Sequence, residues 1–92
     1  SGELRTLFSL GQEGSGSGSE WTRREVRLCD DCGQLYLHVL DFDGQPGMPS
    51  STSRRLIKHD RQSILRLAEQ WAGFQATPVS EARAILDAAG AS

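Results

Sequence analysis

Apolar residues recur in two rhythms along this chain. Near the start, Leu4, Leu7 and Phe8 stand at i, i+3 and i+4 and share one face of a helix, with Leu10 extending the patch. This spacing predicts a short amphipathic helix over 3–10. An extended segment alternating Leu4, Thr6, Phe8 and Leu10 is the rival, and it turns Leu7 to the wrong face. A helix this short is not stable alone in water and needs a groove to lie in.

The rhythm then changes to two. In 21–30, Val26 and Leu28 oppose Glu25, Arg27 and Cys29, which predicts a strand. In 34–42, Leu35, Leu37 and Val39 oppose Tyr36, His38, Leu40 and Phe42. Apolar residues on both faces predict a central strand or one covered on both sides. Asp31-Cys32-Gly33 lies between the runs and supplies a tight turn, so 24–42 reads as a β-hairpin. Asp43 to Ser53 carries Asp-Gly, Pro-Gly and Pro-Ser and reads as a loop. Residues 54–58 read as a short third strand or an early helical turn.

The helical rhythm returns after Asp60, a good N-cap. Ile64, Leu67, Ala68 and Trp71 line one face, and Gly73 is the expected stop. Thr77-Pro78 restarts a helix, with Thr77 as the expected N-cap. Val79, Ala82, Ile85, Leu86 and Ala89 line its apolar side, and Gly90 ends it. The fold class expected is therefore α+β: a β-hairpin or three-stranded antiparallel sheet followed by two helices, plus a short helical peptide.

Residues 14–19 read Gly-Ser-Gly-Ser-Gly-Ser, which reorganises this picture. Strict Gly/Ser alternation is a flexible coil with nothing to bury, and it has the composition of a man-made tether. The chain then divides into a partner-derived peptide, 1–13, a linker, 14–19, and a small domain, 20–92. Ser1-Gly2 resembles the scar of a removed tag. A tether implies that the peptide binds the domain. Leu4, Leu7, Phe8 and Leu10 are the expected anchors, and Trp21, Leu65, Trp71 and Phe74 the expected lining of the groove.

Charge narrows the partner classes. Twelve acidic residues outnumber ten basic ones, giving a formal net charge of −2, a balance that argues against phosphate-rich nucleic acid. The basic residues cluster at Arg23, Arg24 and Arg27 and again at Arg54, Arg55, Lys58 and Arg61, where they read as solvated faces or as contacts for an acidic partner. The preference for Arg over Lys, with much Ala and Gly, suggests a GC-rich genome, bacterial or phage. No membrane-spanning run or signal-peptide pattern is visible, so a cytoplasmic setting is expected.

Chemistry is sparse. Cys29-Asp30-Asp31-Cys32-Gly33 has half the pattern of a zinc knuckle, and His38 and His59 are the other good donors. Zinc on Cys29, Cys32, His38 and His59 is accordingly one alternative. A redox role is disfavoured, because Asp30 and Asp31 should raise the thiol pKa values. Asp41 and Asp43 lack the later ligands of a calcium loop. The two C-terminal helices have the rhythm of a helix-turn-helix, which makes DNA binding another alternative. The start of the second helix, however, offers Val79, Ser80 and Glu81 rather than basic residues. Ser63, His59 and Asp60 do not form a catalytic constellation, so no enzyme activity and no obligatory cofactor are expected. The function expected is protein–protein interaction, in a small regulator that occupies a short segment of a larger machine such as the transcription apparatus.

Overall fold

A computed structural model of the chain describes residues 3–14, 20–44, 47, 49–70 and 76–90. Four strands run in chain order, β1 (Leu4–Gly14), β2 (Glu20–Cys29), β3 (Leu35–Asp43) and β4 (Ser51–His59). Two helices follow, α1 (Arg61–Gln70) and α2 (Val79–Ala89). Each strand pairs antiparallel with its chain neighbour, in the order β1-β2-β3-β4. The domain is α+β, as expected, with a four-stranded sheet.

The segment expected to be a short helix is strand β1. The helical spacing of its apolar residues has a strand explanation. The register with β2 slips between Thr6 and Phe8 and again between Ser9 and Gly11, so Leu7 and Leu10 are inserted residues. A bulge places two residues opposite one and resets the alternation. Phe8 and Leu10 are buried, and Leu7 packs against the same core without Leu4. A spacing of three and four thus arises from a period of two with one extra residue. Gly11 closes the second bulge at φ 100°, a backbone angle suited to glycine.

The hairpin of β2 and β3 has the expected faces. Val26 pairs with Leu37 and Leu28 with Leu35, all buried, on the side that meets the helices. Around the connection, Gly33 N–H donates to Cys29 O at 2.8 Å and Cys29 N–H to Gln34 O at 2.9 Å, with Gly33 at φ 74°. Residues 51–59, read in part as loop, form the full edge strand β4.

Ile64 and Ala68 of α1 and Ala82 and Leu86 of α2 complete the core with Phe8, Leu10, Val26, Leu28, Leu35, Leu37 and Val39. Asp60 caps α1 as expected, its Oδ1 accepting Ser63 N–H at 2.7 Å. This bond, and after it the Ser63 hydroxyl, hold the Asp60 carboxyl below its usual pKa. The start of α2 differs from expectation. Pro78 is its N-cap and makes no side-chain cap bond, while Thr77 N–H donates to Ser9 O of β1 at 3.0 Å. An Arg61–Asp87 ion pair ties α1 to α2, and Gly90 ends α2 at φ 67°. Trp71 and Gly73 lie outside the described residues.

Among the described residues no helix is long and apolar enough to cross a membrane. The helices lie over the β1 side of the sheet, with α2 against β1. On the far side Ile57 remains 39% exposed, although it pairs with buried Leu37. Leu86→Ala should therefore cost about 2–5 kcal/mol in urea unfolding, from lost burial plus a cavity. Leu56→Ala, at a position 53% exposed, should change stability by no more than about 0.5 kcal/mol.

Candidate functional site

The most developed contact in the domain is the seat of β1. Its inner edge is zipped to β2 from Leu4↔Cys29 to Gly14↔Trp21. Its outer edge receives Thr77 N–H on Ser9 O. The strand is held from both sides, by β2 and by the connector that leads into α2. Phe8 pairs with Val26 over the fully buried Ile64, Ala82 and Leu86 cluster, and Leu10 follows it into the core. Burying such a side chain stabilises by about 1.5–3 kcal/mol.

Polar contacts fix the register from the rim. Arg5 pairs with Asp30 at 3.1 Å, Arg24 with Glu13 at 3.5 Å, and Arg23 donates to Gln12 at 3.3 Å. Gly11 N–H donates to Ser9 Oγ at 3.0 Å, so the second bulge satisfies its own donor. Each exposed ion pair is worth at most about 1 kcal/mol. Their value is positional, because a slip by one residue would turn Phe8 out of the core.

The expected contact residues divide accordingly. Leu7, Phe8 and Leu10 reach the core, and Leu65 of α1 packs at its margin. Leu4 pairs with Cys29 at the far end of the strand and belongs to no core cluster. Trp21 lies where β1 leaves the sheet, opposite Gly14, and stacks on Phe42 with ring centroids 5.3 Å apart. Arg23 covers Trp21 at 5.2 Å from the ring centroid. Trp71 and Phe74 lie outside the described residues. Ser9 and Thr77 were not foreseen, because a backbone bond leaves no mark on residue type.

The four expected zinc donors are not gathered. Cys29 and Cys32 meet at the turn, but the partner of His38 in β2 is Glu25, four residues from Cys29, or about 13 Å along the strand. His59 pairs with Leu35, which turns its side to the helix face, away from His38. Among the described residues no group of three or more His, Cys, Asp or Glu side chains is placed to hold a metal.

The thiol environment corrects another expectation. The Cys32 thiol and the backbone N–H groups of Cys32 and Asp31 donate toward the Cys29 sulfur, and they lower its pKa against the opposing effects of burial and the Asp31 charge. The sequence shows the carboxylates and not the turn that aims amides at the sulfur. The two C-terminal helices, for their part, bury one face each against the sheet. In α2 the first turn carries Glu81 as its acidic residue, which does not favour phosphate.

The sheet face away from the helices carries Tyr36, His38, Leu40 and Phe42 of β3, with Leu56 and Lys58 of β4 beside them. Glu25 pairs with Arg27 at 3.4 Å there, and Arg27 Nε is buried without a hydrogen-bond partner. His38 is buried, and burial, with the Arg27 and Arg54 charges, holds its pKa below the ordinary value against the pull of Glu25. The unfolded chain therefore binds this proton first. Stability should be full above about pH 6.5 and fall as pH drops below it through the lower folded-state value. Urea midpoints measured at pH 7.5 and 5.5 should show this fall, and His38→Gln should reduce it. No protein-family model, curated protein or solved structure matches the chain.

Proposed function

We propose that this domain is a protein–protein interaction module that accepts an extended segment of a partner as an extra strand on the β2 edge. Residues 1–13 are that segment, and 14–19 are the tether that holds it. The mode is strand addition rather than helix-in-groove binding: main-chain bonds supply affinity, and pockets for selected side chains supply specificity. Phe8 and Leu10 are the specificity residues, with Leu7 at the margin. The reading is of a binding regulator and not of an enzyme.

The observation that carries this reading is the burial of Phe8 and Leu10 by residues that all follow the Gly/Ser run. The composition of the connection also supports it. Paired strands lie about 5 Å apart, and hairpin loops of two to five residues bridge them. The connection between Gly14 and Glu20 is of hairpin length, but it is a run of glycine and serine that templates no turn. A tether of this kind raises the effective concentration of the strand to the order of millimolar.

The test keeps the whole chain and places a protease site within 15–19. After cleavage the N-terminal fragment should stay bound on gel filtration at micromolar protein and exchange with labelled 3–14 peptide. Phe8→Ala and Leu10→Ala should each weaken retention by about 2 kcal/mol or more, roughly thirtyfold, whereas Leu4→Ala should stay within about threefold. Complete release at millimolar concentration would overturn the proposal. So would unfolding of residues 20–92 as the fragment leaves, since β1 would then be an integral part of the core.

A further inference from the structure

The turn between β2 and β3 holds two thiols in unequal positions. Cys29 ends β2 and is buried, whereas Cys32 stands in the turn and is exposed. The chain folds back between them, with Gly33 N–H on Cys29 O and Cys29 N–H on Gln34 O. Residues three apart in such a turn have Cα atoms within about 7 Å, a separation a disulfide can bridge. The Cys32 thiol already donates toward the Cys29 sulfur. Neither cysteine belongs to the core cluster that the helices join, and both are free thiols.

We propose that Cys29 and Cys32 form a thiol–disulfide exchange site, in which exposed Cys32 engages a small external disulfide and buried Cys29 resolves it. In the first step the Cys32 thiolate attacks one sulfur of the disulfide R–S–S–R. The Cys32–S–R bond forms, the S–S bond breaks, and R–S⁻ leaves and takes up a proton. In the second step the Cys29 thiolate attacks the Cys32 sulfur, forms the internal disulfide and expels the second R–S⁻, which is protonated in turn. Two protein thiols lose two electrons and two protons, and R–S–S–R is reduced to two R–SH. The co-reactant belongs to the class of small disulfides, and its reduced form reverses the reaction.

Beside this turn geometry, the backbone N–H groups of Asp31 and Cys32 lower the pKa of the Cys29 thiol. They stabilise negative charge on the sulfur that must attack second and that leaves when the internal disulfide is reduced. The site is independent of the strand-acceptor reading, because it uses neither Phe8 nor the β2 edge beyond Cys29. It also adds little to stability when oxidised, since the loop it closes is very short.

The test uses the reduced full-length chain and cystamine as the small disulfide, followed by intact mass and free-thiol counting. The expected product has lost two hydrogens and both thiols and carries no adduct. Samples quenched at early times should show the mixed disulfide on Cys32 by peptide mapping. Cys29→Ser should stop at a stable cysteamine adduct on Cys32. Cys32→Ser should react at Cys29 at least about tenfold more slowly than Cys29→Ser reacts at Cys32. The wild-type mapping reads the order of attack even where a serine variant fails to fold. A lasting adduct on the wild-type chain, first attack at Cys29, or no reaction would overturn the proposal.

Discussion

The core of this domain closes only where β1 lies between β2 and α2. The sheet supplies Val26, Leu28, Leu35, Leu37 and Val39, and the helices supply Ile64, Ala68, Ala82 and Leu86. Without Phe8 and Leu10, the helix layer would face an open edge. Phe8 and Leu10 add to this apolar area, of which a domain of this size has little to spare. The bond from Thr77 to Ser9 fastens the same strand from the opposite side.

The two sheet edges are handled in different ways. The β1 edge is covered by α2 and its connector. The β4 edge is bare, and residues 51–58 are exposed along its length. Arg54, Arg55 and Lys58 occupy it, and charge on an open edge discourages pairing with another chain. Arg55 also reaches Asp41 at 3.5 Å, and Asp41 in turn accepts from Thr22 at 2.7 Å. The basic cluster seen in the sequence thus has a structural use as edge protection.

Much of this was legible in residue order. The alternation in 24–42 marked a strand pair and its faces, because both strands keep an unbroken period of two. Asp60, Ile64 and Ala68 marked α1, since a cap and an apolar stripe leave their sign on residue type. Strand β1 was read as a helix because its two bulges insert Leu7 and Leu10, and a bulge converts two-residue spacing into threes and fours. Gly11 in the middle of the run was the one residue that could have signalled the break. Phe8 and Leu10 stood out as apolar and are buried, while their secondary structure was misread, since burial depends on apolarity and conformation on spacing. The zinc donors stand apart for a related reason: His38 and His59 lie on strands whose register and facing are fixed by pairing, which composition does not encode. Backbone donors, to Ser9 O and to the Cys29 sulfur, are invisible to any reading of side chains.

The strand order has a kinetic side. Because every strand pairs with its chain neighbour, the sheet can zip outward from the Cys29–Gln34 turn with short loop closures, and such local topologies fold quickly. The contact between α2 and β1 is of another kind, joining the last element of the chain to the first. Until α2 docks, the paired sheet leaves Phe8 and Leu10 wet on one side. Helix α2 therefore acts as the latch of the fold, and the core is completed only once it docks on β1.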